Sequence, residues 1–158
     1  TTDGLAGSEY LEFVHGRVEG QPALDLDLEV RVQTVCRDAV RAGLVASAHD
    51  LSDGGMATAL AECAIIGNIG ASVTESPDAG GRWDAAMFGE AQSRILLSVS
   101  PDNFDRIKAL AYDHDVPLAV IGLVGGDALS FGDNCSVLLS DASDAWKNGF
   151  SRATSDRD

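Results

Sequence analysis

The chain has 158 residues, 25 of them acidic and 11 basic, which gives a formal net charge of −14. This charge repels nucleic acid and anionic membranes, so the sequence predicts neither as a partner. No apolar run approaches the roughly 18 residues of a membrane span and no signal-peptide pattern is present, which predicts a cytoplasmic protein.

The first third of the chain predicts two helices and a strand. Residues 1–24 are interrupted by glycines and predict a linker segment with one short helix, Ser8–Val14, capped by its serine. Apolar spacings of three and four predict a helix over 25–42, capped by an aspartate at its start. Its inward face is predicted to hold Leu28, Val32, Val35 and Ala39. A buried strand, Leu44–Ala48, follows.

The rest of the chain alternates strands and helices. A glycine-rich turn, His49–Gly55, opens a helix through Ile66, and Ile69–Thr74 predicts a strand. The later elements are predicted as a loop at Pro77–Trp83, a short helix at Trp83–Phe88, a strand at Arg94–Val99, a helix at Pro101–Tyr112, a buried strand at Leu118–Val124, a hairpin of Ala128–Phe131 with Ser136–Leu139, a helix at Asp141–Phe150 and a frayed tail at 151–158.

This order of elements predicts an α+β fold. Two successive βαβ-like units favour a mixed sheet with packed helices, in a split-βαβ arrangement related to ferredoxin folds. The domain proper is predicted to cover residues 25–150, between the linker and the tail.

The Ser52–Gly55 turn is the first candidate site. The amides of Gly54 and Gly55 and the hydroxyl of Ser52 could hold a phosphate oxygen at the start of the following helix. Asp53 opposes direct phosphate contact, although Mg²⁺ could bridge the two. In the structural alternative, Ser52 or Asp53 caps the helix and the glycines allow close packing.

A second candidate site lies about forty residues further on, in Glu90, Gln92, Ser93 and Arg94. An acid, an amide and a guanidinium so close together could bind the hydroxyls and phosphate of a ribose phosphate, with Arg94 as the charge partner. Alternatively, Arg94 forms an ion pair with Glu90 or with Asp84. Any bound phosphate or nucleotide is predicted to contact both Arg94 and the Ser52–Gly55 turn.

Other signatures of chemistry are missing from the sequence. No glycine-rich loop precedes a lysine, no zinc-binding H-E-x-x-H occurs, and the three histidines are scattered. His49 could act as a base, but a histidine bonded to Asp50, to Asp53 or to a backbone carbonyl is the simpler interpretation. These missing signatures therefore predict no metal ligand in the chain.

Three segments together resemble the C-terminal domain of the AIR-synthase superfamily, and within it the phosphoribosylformylglycinamidine synthase family. Ala48–Glu62 is similar to the family pattern AHD-(V/L)-SDGG-L-A-x-ALAE, with Met56 where leucine is usual. Gly89–Arg94 is similar to GE-S-QSR, with Ala91 in place of serine, and Leu5–Leu11 is similar to GGSEYL. The resemblance covers about residues 5–150.

The resemblance implies a fragment of an ATP-dependent C–N ligase of purine biosynthesis. In that family, the formyl amide oxygen of formylglycinamide ribonucleotide is activated by ATP and displaced by ammonia. The family's chemistry lies mainly in preceding domains, so the resemblance implies no catalytic residue here. It implies a scaffold with an auxiliary nucleotide or phosphate site. ATP and Mg²⁺ are implied for the parent enzyme and none is assigned to this chain. Implied partners are the preceding domains, a glutaminase subunit or domain, and a small bridging subunit.

Two other interpretations remain open from the sequence. The first is another enzyme of the superfamily, such as an aminoimidazole ribonucleotide synthetase or a relative of the selenophosphate or thiamine-phosphate enzymes. The second is a non-catalytic interaction module that retains the fold. The acidity also has two explanations, an acidic surface for a partner or adaptation to high salt, and the even spread of acids along the chain favours the second.

Overall fold

A computed structural model describes residues 3–75 and 82–155. Its helices are α1 (Glu9–His15), α2 (Leu26–Arg41), α3 (Gly55–Gly67), α4 (Trp83–Phe88), α5 (Pro101–Asp113) and α6 (Leu139–Ser155). Its strands are β1 (Ser47–Asp50), β2 (Ala71–Val73), β3 (Ile95–Ser98), β4 (Gly122–Val124), β5 (Ala128–Phe131) and β6 (Cys135–Leu138). None of the helices in the described ranges is long and apolar enough to cross a membrane.

The described residues fall into two compact units. The first unit contains residues 3–59 and 82–120, and the second contains 60–75 and 121–155. The two candidate segments predicted from the sequence, the glycine turn and the segment around Glu90, both belong to the first unit.

The first unit is built from amphipathic helices and a two-stranded sheet. β1 pairs antiparallel with β3, which places Asp50 opposite Ile95. The side chain of Asp25 caps α2 by accepting a hydrogen bond from the Leu28 amide at 2.9 Å, as predicted. Ala39, Leu44 and Ile107 form one buried cluster of the core, and Val45, Val99 and Leu110 pack against it. The predicted inward face of α2 is therefore confirmed at Val32, Val35 and Ala39, which are buried.

The second unit contains a four-stranded sheet in the order β4-β2-β5-β6. β2 runs parallel to β5, whereas the β2–β4 and β5–β6 pairs are antiparallel. Ala71, Val73 and Leu129 are buried at the centre of this sheet. The predicted α+β class, with a mixed sheet and packed helices, is confirmed.

Several predicted boundaries were wrong. Leu118–Val124 is not a buried strand, because only Gly122–Val124 is extended and it pairs on one side alone, leaving Leu123 77% exposed. The first strand begins at Ser47, because Leu44 completes the end of α2 by donating its amide to the Ala39 carbonyl. The last helix begins at Leu139 and continues to Ser155.

Two predictions fall partly on residues that the structure does not describe. In the predicted loop Pro77–Trp83, residues 77–81 lie outside the described ranges, and Trp83 begins α4. In the predicted tail 151–158, the first five residues continue α6 and the last three lie outside the described ranges.

Candidate functional site

The glycine turn lies between β1 and α3. Gly54 and Gly55 both have left-handed backbone conformations, with φ of 78° and 64°, which glycine adopts without steric cost. The Gly55 amide donates to the carbonyl of Ser52 at 2.9 Å, which closes the turn. The Leu51 amide donates to the Arg94 carbonyl at 3.2 Å, so the pairing of β1 with β3 brings the two predicted segments together.

Close backbone approach explains two of the glycines. A Cβ atom on Gly55 would lie 2.6 Å from the Gly89 carbonyl oxygen and 2.9 Å from that of Met87. A Cβ atom on Gly89 would collide with the Ala85 carbonyl oxygen and lie 2.9 Å from that of Gly4. The glycine turn and the segment preceding Glu90 therefore pack backbone against backbone, which favours the structural interpretation of these glycines.

The carboxylate of Glu90 accepts a hydrogen bond from the Gly54 amide, one of the groups considered as a phosphate ligand. Its Oε1 atom accepts a hydrogen bond from the Gly54 amide at 2.8 Å and another from the Glu9 amide at 3.0 Å. The backbone amide of Glu90 donates to the Gly4 carbonyl at 2.6 Å. A phosphate at the Gly54 amide would have to displace this carboxylate.

Ser93 and Gln92 also have partners inside the chain. The Ser93 hydroxyl donates to Oε2 of Glu29 on α2 at 2.7 Å. This bond, followed by one from Gln33, lowers the pKa of the Glu29 carboxyl. The exposed side chain of Gln92 donates to the Glu90 carbonyl at 3.5 Å. Ser93 therefore links the segment that precedes β3 to α2, a contact that its position in the sequence did not indicate.

Arg94 makes neither of the ion pairs that were considered for it. Asp84 pairs instead with Arg82, at 2.5 Å, and the Glu90 carboxylate accepts backbone amides. Arg94 is partly buried and donates from Nη1 to the Gly89 carbonyl at 3.2 Å. Burial lowers the pKa of its guanidinium, which nevertheless stays charged near neutral pH. Within ranges 3–75 and 82–155, no carboxylate pairs with Arg94.

The remaining candidate residues lie at the surface of the turn. Ser52 and Asp53 are exposed. Nδ1 of His49 lies 2.6 Å from the carbonyl oxygen of Asp50, so the interpretation of His49 as a hydrogen-bonded residue is confirmed. Across the described part of the chain, no group of three or more His, Cys, Asp or Glu side chains is arranged to hold a metal ion.

Sequence reasoning missed the contribution of the N-terminal segment. Ser8 caps α1 as predicted, accepting the Leu11 amide at 3.3 Å, and Leu5 is buried. The ring of Tyr10 on α1 stacks on that of Phe88, with centroids 4.8 Å apart. The GSEYL motif indicates the family, but nothing in its sequence predicts that Tyr10 contacts Phe88, about eighty residues away.

Residues 1–132 match the family described as AIR synthase related protein, C-terminal domain. The chain belongs to this family. Among curated relatives, it is 43% identical over 154 residues to the phosphoribosylformylglycinamidine synthase subunit PurL of Anaeromyxobacter sp., covering 92% of this chain and 20% of the relative. The PurL subunit of Moorella thermoacetica is 48% identical over 126 residues, 79% of this chain and 17% of the relative. The chain thus spans about a fifth of these relatives' length.

Solved structures share the fold of this AIR synthase-related domain. The PurLQS structure from Thermotoga maritima superposes with a TM-score of 0.68 at 22% identity, covering 87% of this chain and 24% of that one. The T. maritima PurL complexed with ATP gives a TM-score of 0.63 at 24% identity, covering 72% of this chain and 21% of that one. At these identities the comparison establishes the fold of the domain.

Proposed function

We propose that the chain is the C-terminal domain of an ATP-dependent phosphoribosylformylglycinamidine synthase, the C–N ligase that amidates formylglycinamide ribonucleotide in purine biosynthesis. The observation that carries this proposal is the 43% identity over 154 residues to a relative with that name. The proposal includes action in the cytoplasm and the use of ATP with Mg²⁺ by the parent enzyme.

The proposed role of the domain is to act as a scaffold. In support, the amides of Gly54 and Gly55, the carboxylate of Glu90 and the hydroxyl of Ser93 all bond to groups within the chain. These internal hydrogen bonds hold segments of the domain together. The proposal assigns the catalytic chemistry to the preceding domains of the parent enzyme. Further proposed partners are a glutaminase subunit or domain and a small bridging subunit, in line with the PurLQS assembly from T. maritima.

A domain exchange tests this proposal. Residues 1–158 replace the aligned part of the Anaeromyxobacter sp. PurL relative, and the chimera is assayed for ADP formation dependent on formylglycinamide ribonucleotide. We expect the chimera to be active and to restore growth without purines in a strain that lacks PurL. The 158-residue chain alone should produce no ADP, because the proposal places the chemistry in the preceding domains.

Circular dichroism and gel filtration of the chimera separate failure of folding from failure of function. A soluble, folded chimera without activity would contradict the scaffold proposal. ADP formation by the isolated chain would contradict the assignment of catalysis to the preceding domains.

A second proposed role is an auxiliary nucleotide or phosphate site at the junction of the two segments. The observation that favours it is the charge of Arg94, which has no carboxylate partner among the described residues although the chain carries a net charge of −14. The site would comprise Ser52, Asp53, Gly54, Gly55, Glu90, Gln92, Ser93 and Arg94. Because the Gly54 amide already donates to Glu90, we propose that the ligand contacts the exposed Ser52 hydroxyl and the Arg94 guanidinium.

Calorimetric titration with ATP and Mg²⁺ tests this second role. The wild-type chain should bind, and Arg94→Ala should weaken binding at least about tenfold, since a hydrogen bond to a charged group contributes roughly 1.5–3 kcal/mol. Arg17→Ala removes an exposed arginine that pairs with Glu19 and should leave binding unchanged. Unchanged binding in Arg94→Ala, or unfolding of that variant, would make the role of Arg94 structural and the site wrong.

A further inference from the structure

One oxygen atom connects two distant parts of the first unit. Oε1 of Glu90 accepts both the Glu9 amide, 81 residues away in sequence, and the Gly54 amide, 36 residues away. The Glu9 amide is the first of α1, and the Gly54 amide precedes the first turn of α3. Backbone amides at helix starts lack intrahelical acceptors, and a carboxylate is the acceptor that best complements their partial positive charge.

Two further contacts fix α1 to the segment that carries Glu90. The Glu90 amide donates to the Gly4 carbonyl at 2.6 Å, immediately before α1. Tyr10, the residue after Glu9, stacks on Phe88 with an interplanar angle of 3°. The N-terminal segment is therefore held on both sides of the Glu9 amide, and the Glu90 carboxylate has a defined position relative to α1.

We propose that Glu90 is a positioning residue that couples α1 to the glycine turn. The position of α1 then determines whether the Gly54 amide of the turn stays hydrogen-bonded. The coupling passes through the shared oxygen. When the Glu9 amide holds that oxygen, the carboxylate is oriented toward Gly54, and when the Glu9 bond is lost, the carboxylate gains rotamers that leave Gly54 unbonded. This inference concerns the domain itself and stands apart from the parent enzyme's activity.

The structure offers a variant that removes a single donor. Glu9 occupies the first helical position of α1, where proline is favoured because its missing amide hydrogen breaks no intrahelical bond. The preceding residue, Ser8, has φ of −78° and ψ of 152°, which is the extended conformation that proline requires before it. Glu9→Pro therefore deletes the bond to Glu90 while retaining α1, and its ring carbon Cδ takes the place of the amide hydrogen and displaces the carboxylate from α1. Glu9→Ala removes the same side chain but keeps the amide.

Hydrogen exchange of the Gly54 amide in the 158-residue chain measures the coupling. We expect Glu9→Pro to accelerate exchange at Gly54 at least fivefold over Glu9→Ala, while the Leu44 amide, bonded to the Ala39 carbonyl in the same unit, keeps its rate. Equal Gly54 rates in the two variants would overturn the proposal. So would equal acceleration at Gly54 and Leu44, because that reports general destabilisation.

A second variant tests whether the effect passes through the Glu90 carboxylate. Glu90→Ala removes the oxygen that both amides share. If that oxygen couples the two amides, Glu9→Pro and Glu9→Ala have the same Gly54 exchange rate once Glu90 is replaced by alanine. Acceleration of the same size by Glu9→Pro in the Glu90→Ala background would show that the effect bypasses the carboxylate and would overturn the proposal.

Discussion

Replacing Gly55 by alanine is expected to lower the free energy of unfolding by more than about 4 kcal/mol, or to prevent folding. The methyl carbon would lie 2.6 Å from the Gly89 carbonyl oxygen and 2.9 Å from that of Met87. Both neighbours are backbone atoms, so relieving the contact requires the two segments to separate. The left-handed conformation of Gly55 adds roughly 1–2 kcal/mol for an alanine.

Gly43 provides a matched control for this substitution. It has the same φ of 64° as Gly55, but no atom lies within 4 Å of the position where its Cβ would be. Gly43→Ala should therefore cost only the conformational term, roughly 1–2 kcal/mol. Urea denaturation of the two variants measures the difference. Equal losses would mean that backbone conformation, and not the close approach to Gly89, explains why glycine occupies position 55.

Local patterns were sufficient to predict the helices. In α2 and α5, apolar residues recur at helical spacing, and the same residues line the core because each helix can bury only one face. The start of α2 could also be predicted, because the Asp25 side chain accepts a hydrogen bond from an amide only three residues further on. The family was recognisable because its motifs are continuous in sequence.

Contacts between distant segments could not be predicted from the sequence. The partners of Glu90 lie 36 and 81 residues away, and no local pattern specifies which donor a surface carboxylate will accept. The sequence suggested ion pairs between Arg94 and acids near it in the chain. In the structure, Arg94 donates instead to the Gly89 carbonyl, five residues before it. The exposure of Leu123 likewise depends on its strand being at the sheet edge, which an apolar run cannot reveal.

In the structure, the candidate residues of the two motifs serve packing and internal hydrogen bonds more than their spacing suggested. Glycines before a helix predict both a phosphate cradle and a close packing contact. The geometry around Gly55 and Gly89 favours packing, and the Gly54 amide already has an internal acceptor. These contacts form a structural lock between the glycine turn and the Glu90 segment.

The free energy of unfolding of Glu90→Ala tests that lock most directly. Two backbone amides lose their acceptor in this variant. A hydrogen bond to a charged group contributes roughly 1.5–3 kcal/mol, and the Glu9 bond is exposed to solvent and lies at the low end of that range, so we expect a total loss of about 3 kcal/mol. Gln92→Ala alters an exposed neighbour in the same motif and should change stability by less than about 0.5 kcal/mol. If Glu90→Ala is as stable as Gln92→Ala, the carboxylate does not hold the turn, and the structural account of these motifs is contradicted.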